Sequence, residues 1–140
     1  MARVVAIDPG TRRVGLARSD AGGTIAEPLA TLAAEPSETL VDRLAAAAVE
    51  AGAEELVVGL PRRLDGSSGP EAQAARRLAE DLRRVTGLHV TLVDERLTSV
   101  QAERTLIASG ARRDKRRQAV DQVAATLILQ TYLAGRHGRP

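Results

Sequence analysis

The chain has 140 residues, and its 20 Lys and Arg against 18 Asp and Glu give a formal net charge of +2. It contains no cysteine, so disulfide frameworks, thiolate zinc sites and cysteine nucleophiles are excluded. Aromatic residues make up only 1%, which argues against single-strand binding by base stacking. The length predicts one domain over residues 1–140 with a frayed tail at 135–140, and the absence of a long apolar run or signal sequence predicts a cytoplasmic protein that does not engage a membrane.

The charges are distributed unevenly along the chain. Residues 1–70 carry 7 Arg and 10 acidic residues, a net −3, whereas residues 71–140 carry 13 cations and 8 acidic residues, a net +5. Every cation except Lys115 is Arg, whose planar guanidinium binds phosphate in a bidentate manner. This distribution favours an anionic partner, although an arginine bias set by genome composition explains part of it equally well.

The first part of the chain predicts three strands joined by tight turns. Val4–Ile7 is an apolar run that ends at the turn sequence Asp8-Pro9-Gly10. Residues 14–19 predict a second strand and residues 24–32 a third, which Pro28 places at an edge or a bulge. Consecutive strands with tight turns predict an antiparallel meander.

The remainder predicts helices alternating with short strands. An Ala-rich helix follows Pro36-Ser37 and stops at Gly52, and a second helix opens at Pro70 and closes at Gly87. Its apolar stripe is predicted to be Leu78, Leu82 and Val85. Strands are predicted at residues 56–60 and 90–93, and a third helix from the capping box at residues 98–101 to Gly110. The last helix follows a basic loop at 112–117, with a predicted apolar face of Val120, Val123, Ala124, Leu127 and Ile128.

This order of elements predicts an α/β fold. A meander followed by βα units favours a mixed five-stranded sheet, antiparallel over the first three strands and extended by parallel strands, with helices on both faces.

Three acidic residues occupy positions that core packing does not explain. Asp8 ends the first strand, Glu95 ends the fifth, and Asp121 is predicted in the first turn of the last helix. If strands one and five are neighbours, Asp8 and Glu95 leave the sheet close together, and a helix laid over that edge brings Asp121 towards them. Converging carboxylates repel unless a cation neutralises them, and Mg²⁺ or a similar hard ion is the usual solution. Two such ions about 4 Å apart support phosphodiester hydrolysis.

Each of these residues also has a structural alternative. Asp8 before Pro9-Gly10 fits an Asx-type turn, and Glu95 next to Arg96 fits a surface ion pair. Asp121 near a helix start fits a favourable interaction with the helix dipole. Asp20 and Asp94 are further candidate ligands, but strand alternation predicts that Asp94 faces away from Glu95.

Four segments also resemble the YqgF/RuvX family, whose members carry the labels Holliday junction resolvase and pre-16S rRNA nuclease. The resemblance spans nearly the whole chain, and residues 93–99 are its most specific part. The matching segments are residues 7–20, residues 58–61 with 65–67, residues 93–99, and residues 120–125 leading into 128–130.

The resemblance implies an RNase H-like fold and a catalytic, metal-binding triad of Asp8, Glu95 and Asp121 that uses Mg²⁺ or Mn²⁺, with two ions expected. It also implies that Gly10 and Gly15 allow close backbone approach. The implied contacts to substrate phosphates come from the following residues: Arg12, Arg13, Thr98, Ser99, Arg112, Arg113, Lys115, Arg116 and Arg117. Plain N-capping by Thr98 and Ser99, and a solvated basic loop at 112–117, are the alternatives.

The first hypothesis is therefore a metal-dependent nuclease acting on structured RNA or branched DNA, in which a metal-activated water attacks the phosphate and leaves 5′-phosphate and 3′-hydroxyl ends. Processing of the 5′ end of pre-16S rRNA is favoured over junction resolution by the family labels alone. A resolvase needs two active sites, so a strictly monomeric protein would count against junction resolution. The expected oligomeric state is a monomer or a homodimer.

Two alternatives belong to other classes. One is a non-catalytic module that binds RNA or a transcription factor, which the presence of all three carboxylates disfavours. The other is an actin-like nucleotide-binding domain, which the turn at residues 8–11 resembles but which needs two such domains around a cleft.

Overall fold

The computed structural model describes residues 3–61, 69–95 and 113–137, with the side chains of residues 123–135 in the last range. The predicted helix at residues 98–110 lies outside the described residues. A short 3₁₀ turn at Ser37–Thr39 precedes the first helix. The strands and helices in chain order are β1 (Val4–Asp8), β2 (Arg13–Ser19), β3 (Ala26–Ala33), α1 (Leu40–Glu50), β4 (Glu55–Leu60), α2 (Pro70–Thr86), β5 (His89–Asp94) and α3 (Arg113–His137).

The five strands form one mixed sheet in the order β3-β2-β1-β4-β5. The pairs β1–β2 and β2–β3 are antiparallel, whereas β1–β4 and β4–β5 are parallel. The predicted meander with parallel additions is confirmed. Parallel strands read as continuous apolar runs when both faces are covered, and all five residues of β1 are buried.

Helices cover both faces of the sheet, and strand alternation decides which residues they meet. Val5 and Ile7 belong to the core formed with α1 and α2. Val4 and Ala6 belong to a second core, formed with α3. Because side chains alternate along a strand, Asp8 falls on the α3 face of β1. The last residue of β1 therefore belongs to the face of the sheet that α3 covers.

The strand β3 lies at an edge of the sheet and contains an irregularity, as Pro28 predicts. Leu16 pairs with Ala30 whereas Ala17 pairs with Pro28, so Leu29 is an extra residue on β3. Proline cannot donate to a ladder of hydrogen bonds, and an edge strand with a bulge accommodates this loss.

The predicted limits of α2 are also confirmed. Pro70 occupies its first turn, and Gly87 caps its C-terminus with φ 70°, a left-handed conformation that favours glycine. Leu78 and Leu82 are buried, but Val85 is 46% exposed, so its place in the predicted apolar stripe is wrong.

The start and apolar face of the last helix differ from prediction. Backbone from Arg113 onward is helical, so residues 113–117 form the first turns of α3 and not a loop. Arg, Lys and Gln are good helix formers, and the segment has no Gly or Pro to stop it. Val123 is 41% exposed. Ala124 and Ile128 are buried and Leu127 is partly buried against them, as predicted, and Ala125, Leu129 and Leu133 complete the buried face. No described helix is long and apolar enough to cross a membrane.

Candidate active site

Asp8 lies at the end of β1, buried to 1% exposure, with glycine beside it on both neighbouring strands. Gly15 pairs with Asp8 across the antiparallel β1–β2 ladder. On the other side Ile7 pairs with Val58, which places Gly59 beside Asp8 on β4. Because laterally adjacent residues point to the same face of a sheet, the two positions directly beside Asp8 on this face carry no side chain.

Glu95 directly follows β5 and is 2% exposed. The expectation that strands one and five are neighbours is wrong, because β4 lies between them. Adjacent strands are about 4.8 Å apart, so β1 and β5 are separated by about twice that distance. Asp8 and Glu95 can approach each other only across β4.

Gly59 on β4 lies next to one carboxylate oxygen of each of the two acidic side chains. A Cβ atom placed on Gly59 would lie 3.3 Å from Glu95 Oε1 and 3.7 Å from Asp8 Oδ1. The two carboxylate oxygens therefore lie no further apart than the sum of these distances. The predicted proximity of Asp8 and Glu95 is present, although it comes from a glycine in the intervening strand and not from adjacency of β1 and β5.

The helix α3 runs antiparallel to β4 across this face. Ile128 Cδ1 lies over Gly59, near the C-terminal end of β4, while the Tyr132 hydroxyl donates a 2.6 Å hydrogen bond to Glu55 Oε2 at the N-terminal end. Following the helix backwards from Ile128 therefore leads towards the end of the sheet that carries Asp8 and Glu95.

Asp121 lies on this part of α3, about two turns before Ile128. Its spacing of three, four and seven residues from the buried Ala124, Ala125 and Ile128 puts it on the same side of the helix. Its side chain lies outside the described residues. The helix begins at Arg113, so Asp121 is not in the first turn as predicted. The helix dipole acts within the first turn and therefore does not explain this aspartate.

Arg12 and Arg13 lie in and directly after the turn that joins β1 to β2, at the same end of the sheet as Asp8. Arg12 is exposed, and its carbonyl accepts a 2.8 Å hydrogen bond from the Ala34 amide. Arg13 begins β2 two residues before Gly15, and alternation places it on the face of Asp8. The turn is tight at Gly10, where an added Cβ would collide with the Arg13 carbonyl oxygen, as the predicted close backbone approach requires.

The side chains of the remaining predicted phosphate contacts lie outside the described part of the chain. Thr98, Ser99 and Arg112 lie outside the described residues. Residues 113, 115, 116 and 117 lie on the first turns of α3, with their side chains outside the described part.

The two further candidate ligands, Asp20 and Asp94, are separate from this centre. Asp20 follows β2 at the opposite end of the sheet, since Arg18 pairs with Val5 near the start of β1. Its Oδ1 accepts hydrogen bonds from the amides of Thr24 and Ile25, which lower the pKa of the carboxyl below its ordinary value. Leu92, two residues before Asp94, packs on the α1 and α2 side of the sheet. Strand alternation therefore places Asp94 on that side, away from the face covered by α3.

Within the described residues, no group of three or more His, Cys, Asp or Glu residues is placed to hold a metal ion. The described part of the centre is thus a pair of buried carboxylates. Sequence analysis included Gly59 only within the family-like segment 58–61, and it missed the position of this residue next to both carboxylates, which depends on β4 lying between β1 and β5. A glycine inside an otherwise apolar strand was the available signal, because it marks a place where another group approaches closely.

Comparisons with known proteins are consistent with this geometry. Residues 2–135 match the sequence profile of the family described as RuvX, Holliday junction resolvase. A protein of Chloroflexus aurantiacus named "Putative pre-16S rRNA nuclease" is 42% identical over 98% of this chain and 90% of its own length. A protein of Moorella thermoacetica with the same name is 45% identical over 94% of both chains.

The fold has counterparts among solved structures. The RuvC protein of T. thermophilus, in complex with a Holliday junction substrate, superposes with a TM-score of 0.62 and 15% identity, covering 99% of this chain and 97% of that one. A second structure of RuvC from Thermus thermophilus gives a TM-score of 0.53 at 18% identity, covering 97% and 96%. These similarities support the mixed five-stranded RNase H-like fold predicted from sequence.

Proposed function

This chain belongs to the family described as RuvX, Holliday junction resolvase, and from that premise we propose that it is the nuclease that processes the 5′ end of pre-16S rRNA. It is a hydrolase that acts on phosphodiester bonds of nucleic acid. The proposal assigns the catalytic and metal-binding roles to Asp8, Glu95 and Asp121, within a single domain formed by residues 1–140.

The observation that carries this assignment is the convergence of two buried carboxylates on Gly59. Burying a carboxylate costs several kcal/mol, and placing two carboxylates near each other adds their repulsion. A divalent cation held by both side chains would offset both costs. Paired carboxylate oxygens are the donors that Mg²⁺ and Mn²⁺ prefer, and one oxygen of each carboxylate lies within 4 Å of the Cβ position of Gly59.

Asp8 and Glu95 would hold the metal ions, with Asp121 as the third ligand. Two bound ions supply an activated water and stabilise the leaving oxygen of the phosphodiester. The protein's own residues do the rest. Arg12 and Arg13 bind a backbone phosphate beside Asp8, and the buried positions of Asp8 and Glu95 keep their carboxylates in one orientation between turnovers.

The choice of ribosomal RNA as substrate is supported by the names of the relatives that are 42% and 45% identical. The net +5 of residues 71–140 supports a polyanionic substrate in general. A cytoplasmic location is part of the same proposal.

The decisive experiment compares two matched substrates. Purified protein is incubated with a precursor 16S rRNA fragment and with a four-way DNA junction, each in Mg²⁺ and in Mn²⁺. We expect metal-dependent cleavage of the RNA at its 5′ precursor segment and no activity from Asp8→Asn. Equal cleavage by that variant identifies a contaminating nuclease and contradicts the assignment.

Junction resolution is the second candidate, because the family's own description names it. A resolvase places two active sites on one junction and therefore acts as a dimer. Paired nicks in the junction, made by a protein that sediments as a dimer, would support this candidate over RNA processing. A strictly monomeric protein would contradict it.

A metal-binding measurement distinguishes a non-catalytic RNA-binding module from both nuclease candidates. The nuclease binds Mn²⁺ in the absence of nucleic acid and loses that binding in Glu95→Gln, whereas a binding module with no metal centre shows no difference between the two proteins.

A further inference from the structure

We propose that Gly59 is a positioning residue of the catalytic centre, and that the absence of a side chain at this position allows carboxylates from two non-adjacent strands to share metal ions. The inference rests on the proposed function of Asp8 and Glu95 as metal ligands.

The topology of the sheet makes this position unusual. The strand β4 separates β1 from β5, so the side chains of Asp8 and Glu95 must reach towards each other over its surface. Alternation places Val57 and Gly59 on the same face of β4, the face covered by α3. The residue on β4 that lies level with Asp8 is Gly59, one position after the Ile7–Val58 pair. A side chain at this position would stand between the two carboxylates.

The distances show how narrow the gap is. A Cβ atom on Gly59 would lie 2.7 Å from Ile128 Cδ1, a distance that real Cβ atoms essentially never show. It would also lie 3.3 Å from Glu95 Oε1, closer than most Cβ contacts, and 3.7 Å from Asp8 Oδ1. A single methyl group on Gly59 would therefore disturb both the packing of α3, through Ile128, and the position of the Glu95 carboxylate oxygen.

These two contacts differ in how they can be relieved. The Ile128 Cδ1 atom is the far end of a flexible side chain, and shortening that side chain to valine removes it. The Glu95 oxygen belongs to the proposed ligand itself, and moving it away changes the metal site. Packing and ligand placement can therefore be separated by a second substitution.

Glycine carries an intrinsic cost at this position. Gly59 lies in a buried strand between Val58 and Leu60, where β-branched residues pack well and glycine loses the most chain entropy on folding. The close approach of Ile128 Cδ1 and of Glu95 Oε1 to its Cβ position accounts for the absence of a side chain, and only the second of these contacts concerns the proposed metal site.

The test compares Gly59→Ala, Ile128→Val and the double variant G59A/I128V with the wild type. Mn²⁺ binding is measured without nucleic acid by titration calorimetry and by the loss of the free-ion electron paramagnetic resonance signal. Thermal unfolding reports on the fold. We expect the double variant to melt close to the melting temperature of Ile128→Val. The Mn²⁺ dissociation constant of the double variant should nevertheless be at least about tenfold higher than that of Ile128→Val, in the range found when groups that orient metal ligands are removed.

Mn²⁺ affinity in the double variant equal to that of Ile128→Val would overturn the role of Gly59 and leave the proposed function intact. If wild-type protein and Asp8→Asn bind Mn²⁺ equally, the proposed function fails, and the role of Gly59 fails with it. Should the double variant not fold, G59A/I128A measured against Ile128→Ala provides the same comparison with more space for the added methyl group.

Discussion

The two ends of the sheet hold acidic side chains in opposite ways. At one end, Asp20 accepts backbone hydrogen bonds of 2.8 Å from Thr24 and 3.1 Å from Ile25, and Glu55 accepts a 2.6 Å hydrogen bond from Tyr132. At the other end, Asp8 and Glu95 are almost fully buried on either side of a glycine. The first pair lies against donors that the chain itself supplies, and the second pair lies next to a strand position that carries no side chain.

This difference separates structural carboxylates from those suited to hold a cation. Hydrogen bonds from backbone amides and a tyrosine fix the chain, and they account for Asp20 and Glu55 without reference to a ligand. Two buried carboxylates that approach one glycine are costly to bury together, and a divalent ion held by both would offset that cost.

The largest predicted effect comes from neutralising the acidic residues at each end in turn. Asp8→Asn and Glu95→Gln should each lower the cleavage rate by more than about a hundredfold, since even the outer partners of metal ligands are worth 10–100-fold. Asp20→Asn and Glu55→Gln should leave the rate near that of the wild type. Rates are measured on the substrate cleaved by the wild type, with circular dichroism as the control for folding. A similar loss at both ends would show that activity follows stability and not the metal centre.

A smaller effect is expected from the arginines of β2, which also lie at opposite ends of the sheet. Arg13→Ala should weaken substrate binding several-fold. It should also reduce the slope of log affinity against log salt by about 0.7–0.9, the contribution of one phosphate contact. The matched control is Arg18→Ala, since Arg18 pairs with Val5 at the other end of β1. Binding is measured with the inactive Asp8→Asn protein as background, by fluorescence anisotropy over a series of salt concentrations. Equal slopes for both variants would remove Arg13 from the phosphate site.

The smallest effect concerns the pH dependence of stability at the end of the sheet opposite Asp8 and Glu95. The backbone amides of Thr24 and Ile25 lower the pKa of Asp20 in the folded state below its ordinary value of 3.8. The ionised carboxylate therefore stabilises the fold at pH values above this ordinary value, and the stabilisation is lost as the pH falls through the lowered pKa. The difference in melting temperature between wild type and Asp20→Asn should be small at neutral pH and should shrink as the pH falls below about 4. A difference that grows on acidification would contradict the assigned hydrogen bonds.

Local sequence signals predicted most of the fold. Pro70 marks the start of α2 because proline has no backbone N–H to donate, and the first turn of a helix does not need one. Gly87 marks the end of α2 because glycine adopts the left-handed conformation of the C-cap. Pro28 located an edge strand for a similar reason. The start of α3 was predicted wrongly because Arg and Lys are compatible with both a loop and a helix, and no capping residue distinguishes the two. The exposure of Val123 and Val85 depends on how the helices are rotated against the sheet, which is a property of tertiary packing.

The candidate site was predicted in its residue types but not in its construction. Asp8 and Glu95 each follow an apolar strand, and this pattern identified both residues. Their approach to each other depends on the order of the strands, which a parallel crossover determines over a long sequence separation. The part played by Gly59 could not be seen until β4 was placed between β1 and β5.

The position of β4 between β1 and β5 also limits when Asp8 and Glu95 can come together during synthesis. The hairpin of β1 and β2 consists of local contacts and can form early, whereas the parallel pairs of β1 with β4 and of β4 with β5 close long loops and form slowly. A partly synthesised chain that ends before β5 contains Asp8 and Gly59 but neither Glu95 nor the helix that covers them. The proposed site therefore forms only after β5, the last parallel strand, has been synthesised and has docked.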